Sequence, residues 1–86
     1  MTKDDQPMTI KRYFNILGRD LVYLKFIMEA YEGIATLSTA DKKNSVVVIA
    51  YSNFFAETVN NVLEALRQDM ALVEVEAPLT DGLPST

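Results

Sequence analysis

The sequence contains no cysteine and no histidine. Without cysteine there is no disulfide framework, thiolate zinc site, iron–sulfur cluster or thiol nucleophile, and without histidine the commonest neutral-pH base and metal ligand is gone. Basic residues are scarce. Eight Lys and Arg against twelve Asp and Glu leave a net charge of −4 and a pI near 4.6, which opposes binding to phosphate backbones. Nucleic acid is therefore not an expected partner. Long hydrophobic runs are also missing: the longest, Val46 to Tyr51, falls far short of the ~20 residues that span a bilayer. The polar opening residues 1–7 lack the apolar stretch of a secretory signal. A cytoplasmic protein with neither a membrane partner nor a cofactor is the expectation.

The 86 residues suffice for one domain, and a chain of this size buries only about 60–65% of the surface that its unfolded form exposes. A partner that adds buried area would matter to its stability. All three prolines lie in residues 1–8 and 78–86, which are poor in packing side chains and read as flexible tails around a folded unit at 9–77.

Within that unit the hydrophobic period alternates between two and 3.6. In a first strand, Thr9 to Leu17, Ile10, Phe14 and Ile16 share one side, and Arg12 interrupts that side as a residue expected to snorkel from the sheet margin. Leu21, Leu24, Met28 and Tyr31, with Ile27, then form the stripe of a helix from Asp20 to Glu32, closed by Gly33 in a left-handed C′ position. Two strands (Ile34 to Thr39, Ser45 to Tyr51) flank the polar turn Ala40 to Asn44, and the second is apolar on both sides. A second helix, Asn53 to Met70, is capped by Ser52 or Asn53. A last strand, Leu72 to Ala77, alternates Val73, Val75 and Ala77 against Glu74 and Glu76.

The order βαββαβ predicts an α+β, ferredoxin-like two-layer sandwich with an antiparallel sheet of order 4-1-3-2 and both helices on one face. The other face is expected to carry Lys11, Tyr13, Asn15, Glu74 and Glu76, with either Val46 and Val48 or Val47 and Ile49 between them. Lys11 could then pair with a glutamate on the neighbouring strand. A doubly apolar central strand in a small domain predicts homodimerisation, by face packing or by edge-strand pairing, with Tyr13, Val46, Val47, Val48 and Ile49 as the candidate interface.

Asn15-Ile-Leu-Gly18 lies where the first strand passes into the first helix. The segment resembles the ACT family of regulatory domains, in which a polar residue ends strand one and a glycine opens the next helix so that an effector approaches the backbone. Leu17-Gly18 stands where that family has Pro-Gly. The run Tyr23-Leu-Lys-Phe-Ile-Met-Glu-Ala-Tyr-Glu-Gly33, followed by Ile34 and Thr39-Ala-Asp41, is similar to a family of small bacterial proteins known only as a domain of unknown function. That second resemblance implies a stand-alone ACT-like sandwich and brings no activity with it.

The expected ligand site is Asn15, Gly18, Arg19 and Asp20. Exposed helix amides and Arg19 would take a carboxylate there, and Asp20 the ammonium of an amino acid; a small organic acid is the other ligand class. No catalytic constellation is recognisable among the remaining residue types, so a non-enzymatic regulatory module is expected. An RNA-binding sheet would need more exposed aromatics than Tyr13 and Tyr51, and an acylphosphatase-like loop more glycines than Gly18 beside Arg19. The only paired carboxylates at ligand spacing, Glu74 and Glu76, make a poor cation site, and no metal ligands are assigned. The alternative to ligand binding is a structural protein–protein interaction module that uses the uncovered sheet face.

Overall fold

The computed structural model describes residues 6–78. They form β1 (Thr9–Asn15), α1 (Gly18–Glu29), β2 (Ala35–Asp41), β3 (Val46–Ser52), α2 (Ala56–Leu66) and β4 (Val73–Val75), with a single 3-10 turn at Asn53–Phe55. The α+β expectation holds: four antiparallel strands and two helices make the unit. The strands lie in the order β2-β3-β1-β4, which is compatible with the ferredoxin-like arrangement.

Register decides which side chains share a face. Phe14 opposes Val47, Arg12 opposes Ile49, and Leu37 opposes Ile49 from the other side, so one face carries these residues together with Ala35 and Tyr51. Leu24 and Met28 of α1 and Val59, Leu63 and Leu66 of α2 pack on that same face in one continuous core. Both helices therefore cover one side. The ambiguity over strand three is resolved in the same way: Val47 and Ile49 lie beneath the helices, and Val48 faces away. Val47 and Ile49 thus leave the expected interface, which narrows to Tyr13, Val46 and Val48.

The element ends follow from local chemistry. α1 starts two residues earlier than expected, at Gly18, with Leu17 as an N-cap that makes no side-chain cap hydrogen bond. It stops at Glu29, and residues 30–33 continue as a turn in which Gly33 takes φ +93°, a left-handed conformation that costs glycine little. The N–H groups of Ile34 and Ala35 both donate to Tyr31 O, which turns the chain directly into β2. Ser52 Oγ accepts from Phe54 N (3.2 Å), so the expected cap serves the 3-10 turn from which α2 grows. α2 ends at Leu66, short of Met70, although both side chains are buried.

The strand β4 is a correction. Its pairing sets Phe14 opposite Glu74 and Tyr13 opposite Val75, so Glu74 lies on the helix side and Val73 and Val75 on the open side, the reverse of the expected alternation. Val73 remains 56% exposed. Period-two strands invert both faces when the register slips by one residue, and a three-residue edge strand has little apolar area with which to prevent this.

Of the expected tails, 1–8 and 78–86, residues 1–5 and 79–86 lie outside the described residues. The remainder of the first is tied down: Met8 N donates to Asn53 Oδ1 (2.8 Å), Asn53 N donates to Met8 O (2.9 Å), and Asn53 Nδ2 donates to Gln6 O (3.3 Å). Among the described residues, no helix is long and apolar enough to cross a membrane.

Candidate functional site

A cleft of about 360 Å³ opens between the start of α1 and the β2–β3 hairpin. Its apolar floor is Ile16, Leu21 and Val47, and its rim carries Lys25, Lys42, Thr39 and Ser45. Gly18 completes the wall, where a Cβ would meet nothing within 4 Å. These residues come from two separate stretches of chain, 16–25 and 39–47.

Local hydrogen bonds hold the stretches in place. Asp41 Oδ1 accepts from Asn44 N (3.2 Å) and Oδ2 from Asn44 Nδ2 (2.8 Å), closing the hairpin turn and presenting Lys42 outward. Hydrogen bonding from Asn44 holds the Asp41 carboxyl below its ordinary range. Ser45 follows with φ +58°, a left-handed conformation uncommon outside glycine, and its carbonyl accepts from Ile16 N (3.0 Å). Asn15 Nδ2 donates to Asn44 O (2.7 Å). Two adjacent residues at the end of β1 thus clamp the turn beside α1.

The charge of the cleft differs from that of the whole chain. Two lysines, two hydroxyls and the first turn of α1, whose leading N–H groups have no intrahelical partner, adjoin an apolar floor, and among the described residues no carboxylate lines the cleft. A neighbouring groove of about 330 Å³ between α1 and β2 shares Lys25 but adds Glu29 and Glu32, which makes it unsuited to an anion.

A polar cluster stands on the opposite margin of the sheet. Arg12 donates through Nε and Nη2 to the two oxygens of Glu74 (3.0 and 2.6 Å) and through Nη1 to Asn60 Oδ1 (2.7 Å), while Arg67 Nη2 lies 3.6 Å from Glu74 Oε1. The Arg12 guanidinium sits 5.4 Å from the centre of the Phe14 ring. The anticipated partner of a glutamate was Lys11; Arg12, on the helix side, is the residue that meets one.

Hydrogen bonding from Arg12 holds the Glu74 carboxyl below its ordinary range, and the same bond raises the Arg12 pKa. A lowered carboxylate pKa in the folded state means stabilisation that is complete above the unfolded pKa and lost as pH falls through the folded one. Unfolding midpoints in urea should therefore decline as pH drops from about 5 to 3, and Glu74→Gln should flatten part of that decline. An identical pH profile in wild type and Glu74→Gln would contradict this. Glu74 and Glu76 do not form a paired site, since Glu74 is committed to arginine, and no group of three or more acidic, histidine or cysteine side chains could hold a metal among the described residues.

With the geometry in place, comparison with known proteins gives one match: a family described as "Domain of unknown function (DUF4911)" covers residues 14–70, more than half of the chain. The chain belongs to this family. No curated protein and no solved structure matches it. The DUF4911 segment contains every residue of the cleft, whereas Arg12 and Glu74 lie outside it. Of the four residues expected from sequence to form a site, only Gly18 lines this cleft; Asn15 holds the turn from the far side. Arg19 and Asp20 occupy the first turn of α1 but do not line the cleft, and Asp20 complements the helix dipole from there. Lys25, Lys42, Thr39 and Ser45 were missed. The only sequence signal was the pair Lys42-Lys43 in the polar turn Ala40 to Asn44.

Proposed function

We propose that this DUF4911 chain is a ferredoxin-like, ACT-like regulatory module of the cytoplasm, homodimeric and non-enzymatic, which binds a small carboxylate in the cleft at the start of α1. The observation that carries the reading is the placement of Lys25 and Lys42 around an apolar floor next to the first turn of α1. Lysine ammonium groups and helix amides both favour an anion. The floor of Ile16, Leu21 and Val47 suits a short hydrocarbon body. Asp20 lies outside the cleft, so an amino acid would lack a partner for its ammonium, and small organic acids are the preferred class. A bound acid would bridge the hairpin turn to α1, and that bridge is the means by which occupancy would alter the module.

Calorimetric titration and thermal unfolding with mono-, di- and tricarboxylates test this. A specific acid at 100 times its Kd adds about 2.7 kcal/mol of stability, and Lys42→Ala should weaken binding about tenfold. A flat wild-type response, or one unaltered by both Lys42→Ala and Lys25→Ala, would refute it.

A second reading, a structural interaction module, is favoured by the exposure of Val73 on the open sheet face beside Tyr13, Val48 and Val75. Val48→Glu would then abolish partner binding without affecting carboxylate binding.

A further inference from the structure

The helix α1 is apolar on the side away from the core as well as on the side toward it. Leu24 and Met28 are buried, yet Val22 and Phe26, one turn apart, are each 70% exposed, and Tyr23 beside them is 45% exposed. Ordinary amphipathic helices turn charge outward at such positions. Arg19 and Glu29 bound this stripe at its two ends and Lys25, three residues on from Val22, flanks it; all three are exposed.

We infer that this stripe is a self-association surface, on which α1 packs antiparallel against α1 of a second copy of the chain. The spacing is self-complementary. A two-fold axis at the level of residue 24 sets Val22 against the partner's Phe26 and, with the same register, Arg19 against the partner's Glu29. Lys25 and Tyr23 lie on opposite flanks of this seam, so the two-fold brings the Lys25 of both copies to the same edge, where their long exposed side chains reach solvent. The spacing Arg19, Val22, Phe26, Glu29 is the alternating three-and-four seam of packed antiparallel helices.

Area supports a second copy as the occupant. Aromatic side chains present about 150–250 Å² each, so Phe26, Tyr23 and Val22 at their observed exposures leave roughly 300 Å² of apolar surface on α1. A standard interface needs about 800 Å² per partner, of which a little over half is apolar. α1 supplies most of that apolar share, and Ala30, exposed at its C-cap, extends it. The inference rests on the homodimeric part of the proposed function and not on carboxylate binding.

Sedimentation of the whole chain from about 1 to 200 µM reads the result. Wild type should pass from monomer to dimer in that range. Phe26→Glu, an exposed substitution, should raise the dissociation constant at least 50-fold, by removal of a central anchor. Arg19→Glu should weaken association about fivefold, and Arg19→Glu with Glu29→Arg should restore it, a rescue that general destabilisation could not produce. Circular dichroism confirms that each variant is folded. A wild type that stays monomeric throughout, a Phe26→Glu protein that still dimerises, or dimerisation lost with Val48→Glu instead would each overturn the inference. Calorimetry on the same variants reports the cleft separately, so the two readings fail independently.

Discussion

Replacing Phe14 by alanine is expected to cost about 3–5 kcal/mol, enough to leave much of the protein unfolded at 37 °C. Phe14 is fully buried in β1, one of the two central strands, and lies beneath both helices within the single core. Its ring also carries the Arg12 guanidinium, so truncation removes packing and a stacked cation together. A domain of this size has little reserve. Urea unfolding should show the midpoint falling with the slope unchanged, and a loss below about 1 kcal/mol would mean that the site collapses around the smaller side chain.

Two adjacent valines should give opposite results. Val47 is 2% exposed and faces the helices, so Val47→Glu places an unpaired carboxylate in the core and is expected to abolish folding. Val48 faces the open side of the same strand, and Val48→Glu should leave the fold intact, with a stability change of about 1 kcal/mol or less. Far-ultraviolet circular dichroism with urea titration measures both. Equal damage from the two substitutions would be incompatible with the register of β3 against β1. The folded Val48→Glu protein is also the control that separates the open sheet face from the α1 stripe as an association surface.

The elements were legible where a strong period met a clear boundary. Gly33 marked the end of the α1 region because only a residue without Cβ enters that turn without strain, and Val46 to Tyr51 was recognisable as a central strand because both of its sides are apolar. The orientation of β4 was not legible from its own alternation. The missing clue lay 62 residues away: Arg12 interrupts the apolar side of β1, and a neighbouring strand had to bring it a carboxylate on that side. Glu74 does so, and Val73 and Val75 turn outward as a consequence. The cleft was half legible for a related reason. Gly18 was found from its place between strand and helix, but Lys25, Lys42 and Ser45 belong to a helix and a turn whose meeting depends on hydrogen bonds from Asn15 and Ile16. No local pattern encodes that meeting. The outward apolar stripe of α1 was present in the sequence, but a reading that seeks one core-facing stripe passes over Val22, Tyr23 and Phe26.

The place of β1 between β3 and β4 has a consequence for how the chain matures. This strand is bracketed by residues 46–52 on one side and 73–75 on the other. The two pairings close loops of very different length, so β1 acquires its neighbours one after the other, and the sheet is complete only when residues 73–75 have docked. Until then Phe14 and Ile16 lack part of their cover, and the half-built sheet keeps one of its central strands as an open edge.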